Sequence, residues 1–111
     1  MKELQIIQLS KNYLSNIDLL NRFQNLRKIS AGYNYISTVK LTLPKLMELD
    51  LKNNYLTKVP YLNLFPNLRV LNVRANKIEE LSFAYLKNDK DKDNAPTYYE
   101  SKVEKLNFAA N

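Results

Sequence analysis

The chain repeats itself, and a fixed period constrains a fold more tightly than any local propensity. LQIIQLSKNYL begins at Leu4, LRKISAGYNYI at Leu26, LMELDLKNNYL at Leu46 and LRVLNVRANKI at Leu68, each fitting LxxLxLxxNxL with ordinary aliphatic swaps and one Ala. A partial copy, VEKLNFAAN, runs from Val103 to Asn111. Such a unit cannot bury its apolar face alone, so successive units must stack on one another. In the first frame Leu4, Ile7 and Leu9 are expected to point inward, with their equivalents forming one apolar column from coil to coil. Each full frame ends on an asparagine, Asn12, Asn34, Asn54 and Asn76. A short amide there can pair with backbone groups left open where the chain turns out of the strand. The four are expected to form a ladder whose role is structural, because buried backbone at such turns requires partners.

Beyond each asparagine the aliphatics continue at every third position: Leu14 and Ile17, Ile36 and Val39, Leu56 and Val59, Ile78 and Leu81. Leu20, Leu41, Leu62 and, later, Leu86 follow them. This spacing predicts a return made as a short helix or a turn of 3₁₀ helix. Phe23, Leu43 and Phe65 precede the next leucine, and Pro44 and Pro66 bend the chain back toward the following strand.

Over residues 4–86 and 103–111 these motifs resemble the 22-residue leucine-rich repeats, the subclass typified by the nuclear regulatory subunit of protein phosphatase 1. The resemblance implies an α/β fold. It is a right-handed solenoid with a short parallel β-sheet on the concave face and irregular, 3₁₀ or short helical returns on the convex face. Related repeats serve a spliceosomal protein, an axonemal dynein light chain and secreted bacterial internalins, so the resemblance implies recognition of a protein without naming it. The whole of 1–111 then reads as one domain: four full repeats from 4, 26, 46 and 68, a partial repeat from 103, and a charged insertion loop at about 87–102.

That insertion makes the interval from Leu68 to Val103 far longer than the three before it. KNDKDKDNAP alternates charges and has no apolar face, which predicts a mobile surface loop, with a helical turn or two over 79–86 before it. Tyr98 and Tyr99 offer a contact site there, against the plainer reading of a neutral convex-side insertion. Neither end shows a polar or helical cap, although exposed strands carrying Leu4, Ile7 and Leu9, or Val103, Leu106 and Phe108, invite pairing with another chain. A longer repeat array would explain this first, and end-to-end self-association or coverage by partner subunits second.

Alternate strand residues face opposite sides, so the variable positions between the inward aliphatics form the expected binding face. Its middle column reads Gln8, Ser30, Asp50, Asn72 and Asn107, a row able to donate and accept hydrogen bonds across a partner surface. Ile6, Lys28, Glu48, Val70 and Lys105 lie to one side, and Ser10, Gly32, Lys52, Arg74 and Ala109 to the other. Mixed charge of this kind suits a charged protein patch or peptide better than a phosphate backbone. Just beyond the strand, Tyr33 and the series Tyr13, Tyr35 and Tyr55, with Lys77 in the fourth frame, are rim candidates. The tyrosines can be a contact hot spot or can pack on one another to shield the ladder, and the two readings are compatible.

Composition narrows the function. The chain has no His and no Cys, which removes the commonest general base, the thiolate nucleophile and the usual zinc ligands. A single glycine, Gly32, cannot make a phosphate-cradling loop. Glu48 and Asp50 are the only neighbouring carboxylates expected on the concave strands, and they read as a solvated or Lys52-paired cluster. The expectation is therefore no enzyme, no catalytic or metal site and no cofactor, but a protein-interaction module or scaffold. The alternative is a basic component of a ribonucleoprotein or other nucleic-acid assembly, suggested by the net charge of +6 and the exposed tyrosines. Residues 1–86 carry 12 basic against 6 acidic side chains and residues 87–111 carry 5 against 5, so the excess belongs to the repeats. It is scattered over both faces, however, with Arg22, Arg27, Lys40, Lys45, Lys58 and Arg69 off the concave columns. No segment has the length of apolar chain that a signal peptide or a bilayer span needs, so no membrane partner is expected. The lack of cysteine points to an intracellular setting, the cytoplasm ahead of the nucleus, and leaves secretion open.

Overall fold

The computed structural model describes residues 3–78, 105–107 and 109–111. Five short strands, β1 (Ile6–Gln8), β2 (Lys28–Ser30), β3 (Glu48–Asp50), β4 (Val70–Asn72) and β5 (Lys105–Asn107), form one parallel sheet in chain order. Register is uniform: Ile7, Ile29, Leu49, Leu71 and Leu106 align in the central column, flanked by Ile6 to Lys105 and by Gln8 to Asn107. An aliphatic residue at the centre of every strand dictates this, since a slip by one would turn those central side chains to solvent.

Pairing extends past the regular strands. Before them, Arg27 N–H donates to Gln5 O, Met47 N–H to Arg27 O and Arg69 N–H to Met47 O at 2.7–2.8 Å. After them, Tyr33 N–H reaches Lys52 O, and Tyr35, Tyr55 and Lys77 N–H reach Leu14, Ile36 and Leu56 O in turn. Adjacent frames are thus tied together from the residue before the strand to the residue after the asparagine.

Beneath the sheet lies one core built from the repeated aliphatic positions. Leu26, Leu46 and Leu68, Ile29, Leu49 and Leu71, Ala31, Leu51 and Val73, and Ile36, Leu56 and Ile78 are all buried, as are Leu41 and Leu43. Each fully buried leucine or isoleucine contributes about 1.5–3 kcal/mol of transfer free energy. Leu4, Ile7, Leu9 and Leu14 of the first frame, expected to be as buried as their equivalents, are only partly so, because among the described residues β1 has a neighbouring strand on one side alone.

Two of the returns contain 3₁₀ turns, Asp18–Arg22 and Leu62–Leu64, with Phe23 and Phe65 closing them by N–H bonds to Leu20 O and Leu62 O. The return between β2 and β3 has no helix, and its Ile36, Leu41 and Leu43 are buried in extended or irregular backbone. It also belongs to the shortest frame, the one from Leu26 to Leu46. The expected insertion at about 87–102, the helical turns expected over 79–86, and Leu81, Leu86 and Phe108 lie outside the described residues.

Candidate functional site

The corners of the fold are locked by side-chain amides. Asn34, Asn54 and Asn76 are buried at 4–5% exposure. Asn34 Nδ2 donates to Ala31 O and Gly32 O in its own frame and to Leu9 O in the preceding one, while its Oδ1 accepts from Asn12 and Leu14 N–H. Asn54 repeats the pattern on Leu51, Lys52 and Ala31 O, and Asn76 on Val73, Arg74 and Leu51 O. Asn111 accepts from Asn76 and Ile78 N–H and donates to Val73 O. Each of these amides therefore binds its own turn to the one before it. Asn12, expected to be the first rung, is exposed, and its amide donates only to Ser10 O at 3.2 Å, because no earlier turn among the described residues pairs with β1.

The residue before each of these asparagines sits in the left-handed region: Lys11, Tyr33, Asn53, Ala75 and Ala110, with φ between 55° and 62°. That kink turns the chain so that the asparagine drops under its own strand. The expected punctuation for such a position is glycine, and none stands there. The one glycine, Gly32, stands in a crowded position instead. A Cβ on it would lie 3.0 Å from Lys52 Cγ and 3.2 Å from Lys52 O on the neighbouring strand.

The outer face of the sheet carries the residues predicted to bind. Ile6 is well exposed at 64%. Beside it, Lys28 Nζ approaches Glu48 Oε2 at 3.4 Å, and Lys52 Nζ lies 3.7 Å from Asp50 Oδ2, both pairs partly open to water. Ion pairs this exposed contribute little to stability, so they can exchange partners readily. Asn72 ends β4 and Arg74 follows just beyond it, while Ser30 sits half-buried between Gln8 and Asp50.

The middle column departs from its expected role. Gln8 Oε1 accepts from Ser10 N–H, Asp50 Oδ1 from Lys52 N–H, Asn72 Oδ1 from Arg74 N–H and Asn107 Oδ1 from Ala109 N–H, at 3.0–3.2 Å. These are side-chain turns that satisfy the backbone two residues on. One oxygen of each residue is thereby committed to ending its own strand, which the sequence reading, taking the row as free hydrogen-bonding groups, did not foresee. The signal was legible: amides or a carboxylate stand at four of the five copies of this frame position, with Ser30 the exception, and such side chains can accept this bond.

Along the edge where the chain leaves the sheet, Tyr13, Tyr35 and Tyr55 stack, with ring centroids 6.0 and 5.6 Å apart and interplanar angles of 19° and 8°. Their faces meet one another, and all three remain exposed. Tyr33 stands next to them with Lys11 Nζ at 5.6 Å and Lys52 Nζ at 5.9 Å from its ring. Both cations are within cation–π range. Together with Ala75 and Lys77 these rings border an open depression of about 340 Å³. The structure thus brings Gln8, Lys28, Ser30, Glu48, Asp50, Lys52, Asn72 and Arg74 onto one face and the four tyrosines onto its rim. Tyr98 and Tyr99 lie outside the described residues. No family model matches this sequence, and no curated protein matches it. Among the described residues no helix is long and apolar enough to cross a membrane.

Proposed function

We propose that the chain is a right-handed leucine-rich-repeat solenoid acting as a protein-interaction module or scaffold, not an enzyme, which takes its partner on the concave outer face of the sheet or on the tyrosine rim. The observation that carries this reading is a registered face bearing exposed, weakly paired charges, Lys28 with Glu48 and Asp50 with Lys52, beside a stacked aromatic edge. A partner charge can replace either internal pair at little cost. The aromatic rim adds contact area with few rotamers to freeze. A sequence without His, without Cys and with one Gly offers poor material for catalysis. The same cysteine-free composition fits an intracellular setting.

The test is the double substitution Asp50→Arg with Lys52→Glu. It keeps an opposite-charge pair while reversing the pattern a partner meets. The carboxylate that accepts Lys52 N–H is lost, so stability should fall by about 1 kcal/mol with the fold intact by circular dichroism. Partners captured by the tagged wild-type protein and quantified by mass spectrometry should be depleted by the variant. Undiminished capture would move the interface off this face, and a wild type that retains nothing specific would remove the module reading itself.

A further inference from the structure

The opposite edge, where the chain enters each strand, carries a second surface that neither the outer-face columns nor the tyrosine rim includes. Arg27, Met47 and Arg69 occupy one frame position just before β2, β3 and β4, and their backbones are linked in series by the Met47 N–H to Arg27 O and Arg69 N–H to Met47 O bonds at 2.8 Å. With Lys45 and Asn67 they line a cleft of about 240 Å³. Arg27, Lys45 and Arg69 are exposed, Met47 is half-buried between the two arginines, and Lys45 Nζ donates to Asn25 Oδ1 at 2.7 Å. The two ion pairs on the outer face involve none of these three cations. Like charges gathered around one cleft repel, and a complementary anion relieves that repulsion.

The geometry points to this edge as a docking site for an acidic amphipathic helix of a protein partner, which deepens the interaction-module reading and rests on it. Strands lie about 4.8 Å apart, so Arg27 and Arg69, two strands apart, present their charges roughly 10 Å apart with an apolar side chain midway. A helix rises about 1.5 Å per residue and returns to the same face after two turns, so carboxylates at i and i+7 are also roughly 10 Å apart, with i+3 or i+4 between them. Glu at i and i+7 flanking Leu therefore matches Arg, Met and Arg in both spacing and character. The thioether of Met47 favours such an apolar contact over a phosphate backbone, which has nothing apolar to place there.

The test uses fluorescein-labelled Ala/Gln-rich helical peptides titrated by anisotropy at low and physiological salt. One carries Glu at i and i+7 with Leu at i+4, and a second has the same composition with the glutamates on opposite faces. Glu104, which the repeat frame aligns with Arg69, lies outside the described residues, so the titrations are run in both the native protein and Glu104→Gln. The matched peptide should bind, weaken with salt, and lose about 10-fold or more in affinity on Arg27→Glu with Arg69→Glu in either background. Met47→Ser should weaken it several-fold without changing the salt dependence. Equal binding of the two peptides, no binding of the matched one, or an oligouridylate that displaces it at equal charge would each overturn the proposal. So would an unchanged affinity in the double-arginine variant, and if Asp50→Arg with Lys52→Glu alone abolished binding, the protein-binding reading would survive while this site fell.

Discussion

Asn54→Ala isolates what one rung of the amide ladder is worth. Asn54 donates through Nδ2 to Ala31, Leu51 and Lys52 O and accepts from Ile36 N–H at 3.0 Å. The carbonyls do not become orphans when the amide is removed. Ala31 O keeps Asn34 Nδ2, Leu51 O keeps Asn76 Nδ2, and Lys52 O keeps Tyr33 N–H. Ile36 N–H does become one, at a residue with no exposed surface, and an unsatisfied buried donor costs about 1–3 kcal/mol. Adding about 1 kcal/mol for each of the two satisfied amide protons lost gives roughly 3–5 kcal/mol. Urea unfolding followed by far-ultraviolet circular dichroism should show that loss. Asn12→Ala, whose amide meets only Ser10 O on the surface, should cost under about 0.5 kcal/mol. Equal penalties for the two variants would mean that the ladder does not hold the turns together.

Two further perturbations probe the corners and the rim. Ala75→Gly places the residue suited to a φ of 56° at a left-handed corner. Relief of that strain, less the added freedom of the unfolded chain, should raise stability by about 0.5–1 kcal/mol in the same unfolding assay, and a loss would show that Ala75 is not strained there. Tyr35→Ala removes the ring stacked on both Tyr13 and Tyr55 and should cost about 1–2 kcal/mol. Tyr13→Ala should cost less than half of that, since its ring stacks on one side only and the residue is 81% exposed; equal effects would count against an extended stack.

The period was enough to place the sheet, its register and its core, because the same residue types recur at the same frame positions and a parallel ladder aligns them. Lys28 therefore meets Glu48, and Tyr35 meets Tyr55, by arithmetic on residue numbers. What the frame could not show is set by conformation rather than by residue type. Lys, Tyr, Asn and Ala all adopt the left-handed corner, so composition carries no mark of it, and only the hydrogen-bonding demands of the following asparagine select it. The missing helix between β2 and β3 goes with a shorter frame: Leu41 follows Val39 by two residues, where Leu20 and Leu62 follow Ile17 and Val59 by three in the returns that form 3₁₀ turns. Asn12 departs from its copies because no earlier turn among the described residues pairs with β1, which the periodic pattern does not mark.

The strand-ending bonds also bear on which surface positions are structurally constrained. Gln8, Asp50, Asn72 and Asn107 each give one oxygen to the backbone two residues on, so changing them disturbs the turn as well as the surface. The flanking columns are free of that duty. Lys28 and Glu48 on one side and the Arg74 side chain on the other can vary in sign and size without altering a strand end, and so can Arg27, Met47 and Arg69 at the entry edge. A fold whose strand ends and corners are held by its middle column and its buried amides leaves the side chains of its outer columns without that structural task.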